Sequence, residues 1–375
     1  MDALVSKSKL KEALAIAERA AAKSATLPVL SNVLLSAEKN IVQVSATDLE
    51  IGLTYAFLAT TKQDGKVVIA PRLLSPLLQV IATDQIQLGR EGHDLLVEAK
   101  EYHTSIRSLD PEEFPIIPSP KGEEDRVDVD CRVLCKGLSH VVGMTGQSQA
   151  RPEISGVLFV FEKGGLKMAA TDSFRLAEKR LVFEKEQPFE GSFILPQKAA
   201  RELVAIFGEL PGKMTISLSP VQAAFVYESE DKASGVRIQL VSRLIEGEYP
   251  RYQDIIPEDY KTKIVISRAE FTDHIKAASI FAGKTNEIHL VIDPKQKELV
   301  VTAQSPEAGA HKARLAADIQ GEYMEIAFNW RFLVDGLAQM KSENAELKFS
   351  SEEGPAVILP MGEDDYLYLA MPIRA

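Results

Sequence analysis

Cysteine, histidine and positive charge are all in short supply in this 375-residue chain, and each shortage excludes something. Its two cysteines, Cys131 and Cys135, stand four positions apart with no second pair. That leaves too few for a disulfide framework or a four-thiolate metal site, and buried thiols in a reducing compartment are expected. The six histidines, at 93, 103, 140, 274, 289 and 311, are scattered without ligand spacing, so no metal and no cofactor are expected. No G-x-x-x-x-G-K-[ST] phosphate loop, H-E-x-x-H or G-x-S-x-G occurs. Thr47-Asp48 and Thr171-Asp172 resemble paired catalytic acids, but each closes a strand pattern that recurs, so catalysis is not expected. No apolar run approaches the roughly 20 residues that span a bilayer. The opening Met1-Asp2-Ala3-Leu4-Val5-Ser6-Lys7 lacks the basic-then-apolar order of a secretory signal, and a cytoplasmic protein without membrane contact is expected.

Lys and Arg number 43 against 54 Asp and Glu, a net charge of −11. Taken alone this opposes tight nucleic-acid binding, because affinity for phosphate comes largely from cations that release counterions. The length exceeds one ordinary core and points to two or three domains.

Three domains are what internal repetition implies. Leu30–Leu35 and then Val42–Glu50 alternate like paired strands. About 124 positions later the pattern returns in Ile154–Phe159 and Leu166–Ser173, and a weaker copy is Ile288–Ile292 with Leu299–Ser305. A second motif travels with it: a strand running into an apolar helix at Pro71, Pro196 and Asn329, residues suited to a helix's first turn or cap. Each copy also opens with a helix, over 7–23, 131–149 and 267–284, and carries a second over 71–83, 196–207 and 329–342. Proline-rich joints at 114–124 and 249–259 separate the copies. The expected fold is α+β: three tandem units, 1–121, 122–256 and 257–375, each with two helices packed on antiparallel sheet.

Those six helices hold 15 Lys and Arg against 6 Asp and Glu, leaving 28 against 48 elsewhere. Glu favours helix about as much as Lys and Arg do, so propensity does not explain the bias. Helices sharing one surface would attract polyanions while the remaining surface repels them.

Several motifs, in order and over essentially the whole length, make the chain similar to the bacterial beta sliding clamps, the beta subunits of DNA polymerase III. They are Thr26–Asn32, Thr47–Glu50, Asp110–Pro115, Thr171–Ala177, Gly247–Tyr252, Phe328-Asn329 and Met371–Arg374. The resemblance implies copies of a DNA-clamp domain in a ring-forming, head-to-tail homodimer. Such a ring encircles double-stranded DNA without reading sequence, with helices lining the hole and sheets running across the outside and through the seams. It has no catalytic activity, and confers processivity by tethering the alpha subunit of DNA polymerase III, the clamp loader and other proteins with clamp-binding peptides.

The resemblance also implies sites. A peptide-binding groove would comprise Ile154, Thr171, Ser173, Phe174, Arg175, Leu176, Pro250, Ile255, Leu369, Met371, Pro372, Ile373 and Arg374. Its apolar members suit an aliphatic or aromatic anchor, and Arg175 and Arg374 would meet peptide carbonyls or carboxylates at the rim. Arg72, Arg151, Lys198 and Arg331 would face DNA, joined by Lys11 and Lys23. Ile106 would meet Ile280 and Phe281 across the dimer interface. The chain departs from the pattern at Ser24, where a basic residue can occur, and at Pro152 and Glu153, where aromatic residues can. It departs again at Phe174, where histidine is frequent, and at Asp254, where a basic residue can stand. The residues alone leave one rival open: an acidic three-domain scaffold that binds peptides and never encircles DNA.

Overall fold

The computed structural model describes residues 1–22, 27–118, 126–148, 150–183, 185–186 and 189–373. Among them are six α-helices: α1 (Lys7–Ala17), α2 (Pro71–Val80), α3 (Cys131–Val141), α4 (Gln197–Phe207), α5 (Arg268–Ser279) and α6 (Trp330–Ala338). Each forms because one stripe is apolar: Leu10, Ala13, Leu14 and Ala17 in α1, and Ala199, Ala200, Leu203, Ile206 and Phe207 in α4, are buried. Pro71 occupies the first turn of α2, and the Asn329 side chain caps α6 by accepting from the Arg331 N–H.

Five of the six helices end earlier than their apolar pattern. Buried Ala20, Ile81, Met144, Ala282 and Met340 all lie beyond the helix ends, in 3₁₀ turns or irregular chain. The periodicity therefore reports burial, which outlasts the helical hydrogen bonds. The expectation that each repeat opens with a helix is also corrected. A short strand comes first in every copy: Asp2–Ser6, Arg126–Asp130 and Thr262–Ser267. Each alternates, with Ala3 and Val5, Val127 and Val129, and Ile264 and Ile266 buried, but runs directly into a helix, so its apolar residues merge with the helical pattern.

The chain condenses into two compact units, one made of Met1–Lys136, Gln187–Phe189 and Lys198–Ile245, the other of Gly137–Glu186, Glu190–Gln197 and Glu246–Ala375. Within the first, thirteen described strands form one antiparallel sheet. Its continuity depends on the ladder between Ile51–Leu58 of the first repeat and Arg237–Arg243 of the second, from Ile51↔Ser242 to Ala56↔Arg237. The second unit holds a nine-stranded sheet joined by the ladder between Arg175–Val182 and Tyr366–Ala370, and a four-stranded sheet of Gly309–Ala316, Glu298–Ser305, Glu287–Asp293 and Met324–Asn329. Half of the middle repeat's strands thus extend the first repeat's sheet and half extend the third's.

The repetition reaches individual hydrogen bonds. In Thr47–Ile51 the Thr47 hydroxyl donates to the Ile51 carbonyl and accepts from the Leu49 N–H, while Asp48 Oδ1 accepts from the Glu50 and Ile51 N–H groups. In Thr171–Arg175 the Thr171 hydroxyl donates to the Arg175 carbonyl and accepts from the Ser173 N–H, and Asp172 Oδ1 accepts from Phe174 and Arg175. Both turns hold a non-glycine residue at positive φ, Leu49 at 75° and Ser173 at 77°. That conformation costs about 1–3 kcal/mol and persists because the side chains over-determine it.

Both cysteines lie on the buried face of α3, with Cys135 Sγ 3.4 Å from the Leu203 carbonyl oxygen. Burial, with Asp130 nearby, pushes the Cys131 thiol up to about 12, and burial with Cys131 beside it does the same for Cys135. Unfolded thiols titrate near 8.5, so the stabilisation from keeping them protonated is complete below that pH and is lost as pH rises toward about 12.

Two outcomes are expected. A thiol reagent at pH 8 should leave the native protein unlabelled and modify both cysteines once urea unfolds it; immediate labelling of native protein would contradict the burial. Thr47→Val should cost about 1 kcal/mol, because the Leu49 N–H and the Ile51 carbonyl lose the hydroxyl that bridges them. A lowered urea midpoint measures it, and an unchanged midpoint would show that the turn does not need the hydroxyl.

Candidate functional site

The second of these turns sits where the middle repeat meets the third. Strand Arg175–Val182 leaves the turn and pairs with Tyr366–Ala370, setting Leu176 opposite Leu369 and Arg175 opposite Ala370. Past the ladder, the Met371 N–H donates to the Phe174 carbonyl at 2.8 Å and the Ile373 N–H to that of Ala327. On the other side, the Gly146 N–H is shared between the carbonyls of Ile154 and Thr171. The Tyr249 hydroxyl accepts from the Thr171 N–H at 3.0 Å, which brings the chain bearing Pro250 alongside. Ile154, Thr171, Ser173, Phe174, Arg175, Leu176, Pro250, Leu369 and Met371 are therefore neighbours. Ile154, Leu176 and Leu369 are buried and form a floor, whereas Phe174 is 62% exposed. Ile255 ends the turn Tyr252–Ile255, tied in through the Tyr252 hydroxyl, which donates to buried Glu178 at 2.5 Å. Pro372 follows Met371 half-buried, and Arg374 lies outside the described residues.

Two residues that sequence reasoning missed complete this site, Phe332 and Asp335 of α6. Phe332 stacks on Phe174 at 6.3 Å between ring centroids, and the Arg175 guanidinium lies over its face at 5.0 Å. The Tyr368 hydroxyl donates to the Phe332 carbonyl at 2.7 Å. Gly336 lets the Tyr368 ring lie against α6, since a Cβ there would come within 2.3 Å of it. No motif marks Phe332 or Asp335, which reach the site only through helix packing.

Arg175 is not the open carboxylate receptor expected of it. Its Nε donates to Asp172 Oδ2 at 2.9 Å and its Nη1 to Asp335 Oδ2. Burial alone would lower its pKa, but these carboxylates and Tyr368 raise it, and the guanidinium stays charged and engaged.

The four cations expected to face DNA differ in freedom. Arg72 is exposed at the second position of α2, and Lys11 is exposed on α1. Lys198, on α4, pairs with Asp48 of the first repeat's turn. Arg151 pairs with Glu153 at 3.1 Å and donates to Ser173 Oγ, so it stands beside the Thr171–Arg175 turn. Arg331 stacks over Trp330 at 4.9 Å with Asn286 at 3.4 Å. Lys23 and Ser24 lie outside the described residues.

Of the seam residues, Ile106 is buried at 5% exposure, pointing into its own core, but its strand Tyr102–Leu109 is open along one side except where Ser108 and Leu109 pair with Ile69 and Val68. Gly309–Ala316 likewise pairs on one side only. Beside it Ile280 is 72% exposed, and Phe281 stacks on His311 of that strand at 5.5 Å. Among the described residues no group of three or more His, Cys, Asp or Glu side chains is placed to hold a metal ion. No described helix is long and apolar enough to cross a membrane.

Repeated two-helix, antiparallel-sheet modules whose sheets run on from one repeat into the next define the class of DNA clamps. Models for the N-terminal, central and C-terminal domains of the DNA polymerase III beta subunit match residues 1–118, 129–251 and 253–374. The chain is 27% identical to a beta sliding clamp of Synechococcus elongatus, over 97% of either chain. A crystal structure of the DNA polymerase III beta subunit of Thermotoga maritima superposes with a TM-score of 0.89 at 26% identity, over 100% of this chain and 99% of that one. A DNA polymerase sliding clamp from Bacillus subtilis, at 23% identity, shares the fold with a TM-score of 0.93 over 100% and 99% of the two chains. The chain belongs to the family of DNA polymerase III beta subunits, the beta sliding clamps of DNA replication. It is a non-catalytic clamp rather than an enzyme.

Proposed function

We propose that two copies of this chain close head to tail into a ring around duplex DNA and slide on it without reading sequence. The ring tethers the alpha subunit of DNA polymerase III, and its groove also receives the clamp loader and other proteins bearing clamp-binding peptides. The observation that carries the ring is the pair of open strand edges, Tyr102–Arg107 in the first repeat and Gly309–Ala316 in the third. Unpaired edges are aggregation hazards unless another chain covers them, and pairing one edge with the other, twice, closes a dimer and covers both. Exposed Ile280, with Phe281, flanks the third repeat's edge, where apolar contact reinforces the backbone pairing. Ile106 contributes through its backbone, its side chain being occupied in the core.

In this reading the domains are 1–121, 122–256 and 257–375, and the basic helices face the DNA. Topology retains the ring, so attraction to phosphate needs only to be weak. Consistent with that, Lys198 and Arg151 already carry acidic partners, while Arg72, Arg331 and Lys11 are the cations left to meet DNA. The protein works in the cytoplasm. The groove is the surface around Phe174, Met371 and Ile255 over the Ile154, Leu176 and Leu369 floor.

Native mass measurement tests the ring: a dimer is expected, and a stable 41.2 kDa monomer at micromolar concentration would remove it. On nicked circular DNA loaded by its loader, the ring should be retained and then lost when the DNA is linearised. Equal retention on both forms would favour the scaffold reading. For the groove, Met371→Ala should weaken a partner peptide by roughly 1–3 kcal/mol in calorimetry and leave the dimer intact. Unchanged affinity would move the groove elsewhere. Leu176 is a poorer probe, since its burial makes its truncation a stability defect as well.

A further inference from the structure

A buried carboxylate lies next to the groove floor, where an apolar side chain would be the ordinary occupant. Side chains alternate along strand Arg175–Val182, so Glu178 projects from the same face as Leu176, two residues before it. Leu176 is fully buried and Glu178 only 3% exposed. The Glu178 backbone is pinned within the sheet, opposite Ala169 on one side and Leu367 on the other. Taking a carboxylate out of water is costly unless its oxygens find partners. Here Oε1 accepts from the Arg180 Nε–H at 2.7 Å and Oε2 from the Tyr252 hydroxyl at 2.5 Å. Arg180 reaches in from an exposed position, whereas Tyr252 is buried. Burial, and then the bond to Glu178, push the Tyr252 hydroxyl well above the ordinary tyrosine range, so it remains a donor.

Tyr252 belongs to the linker that carries Pro250 and Ile255. That segment is closed locally: the N–H groups of Tyr252, Asp254 and Ile256 donate to the carbonyls of Pro250, Arg251 and Gln253. Pro250 and Ile255 therefore move with Tyr252. Tyr249 packs edge-on against Tyr252 at 6.4 Å and accepts from the Thr171 N–H, which gives the linker a second anchor. A leucine at position 178 would cover the floor without burying a charge, but it could not hold the Tyr252 hydroxyl. We propose that Glu178 is a positioning residue for the groove, its carboxylate latching the linker and setting where Pro250 and Ile255 stand beside the Leu176 floor. The proposal rests on the groove reading above and adds the group that holds one wall of it.

Hydrogen exchange and peptide binding on the full chain test this together. On the native chain the Tyr252, Asp254 and Ile256 amides should be protected with no peptide present. Exchange at the free-chain rate overturns the latch, and this measurement needs no variant to fold. Binding is then read by fluorescence anisotropy with a labelled synthetic peptide bearing an aliphatic–aromatic anchor. Tyr252→Phe should speed exchange of those amides and weaken the peptide about three- to tenfold, the scale of one net hydrogen bond. Glu178→Leu combined with Tyr252→Phe should lose the same affinity while its urea midpoint holds or rises, because an apolar pair replaces a buried charge. Glu178→Gln, whose amide oxygen still accepts from Tyr252, should bind more tightly than Glu178→Leu. Native affinity in the folded double variant overturns the positioning role. Weakening that only tracks a lowered midpoint, with linker exchange unchanged, overturns it too. A native chain that binds no anchor peptide would instead overturn the groove reading on which the role depends.

Discussion

Backbone hydrogen bonding across the joins between repeats is the constraint on which the rest of this structure depends. The ladders of Ile51–Leu58 with Arg237–Arg243 and of Arg175–Val182 with Tyr366–Ala370 merge what would otherwise be separate small sheets. Each satisfies a row of donors and acceptors that would otherwise be an exposed edge. The consequence is that the middle repeat's strands are divided between its neighbours' sheets, while its helices still meet one another, as Cys135 meets Leu203. Among the described strands, Tyr102–Arg107 in the first repeat and Gly309–Ala316 in the third keep an open side, and the proposed dimer answers both.

The same joins present different side chains from a shared scaffold. The Thr-Asp turn occurs twice with the same hydrogen bonds and the same left-handed third residue, so backbone geometry does not distinguish the two copies. What differs is the side chain that the turn presents. In the first repeat the fifth residue is buried Ile51 and the turn's Asp48 meets Lys198. In the second it is Arg175, held by Asp172 and Asp335 and lying on Phe332. One repeat spends the motif on holding two modules together, and the other opens a surface beside Phe174 and Met371.

Electrostatics follow a similar economy. Several cations carried by the helices are paired with carboxylates, and a cation with a neighbouring acid attracts phosphate more weakly than a bare one. In the proposed ring, which topology would retain, this is an advantage, because strong contacts would oppose sliding. It also means that counting basic residues in helices overstates the field they project.

By itself the sequence determined the α+β class, the threefold repetition, all six helices and the run of motifs that carries the family, because apolar period and turn chemistry are local properties. The family resemblance also pointed to Thr171–Leu176 and Leu369–Ile373, segments that the ladder of Arg175–Val182 with Tyr366–Ala370 brings together. The sequence did not determine where helices stop, since Ala20 and Met144 are buried as a helical residue would be while lying in other backbone conformations. Nor did it reveal the short opening strands, the division of the middle repeat between two units, or the part played by Phe332 and Asp335. Only the tertiary structure decided those, and with them that Arg175 is already bound by aspartates. Each depends on contacts between residues far apart in the chain, 160 positions for Arg175 and Asp335, and no local pattern encodes which distant carboxylate a guanidinium will find.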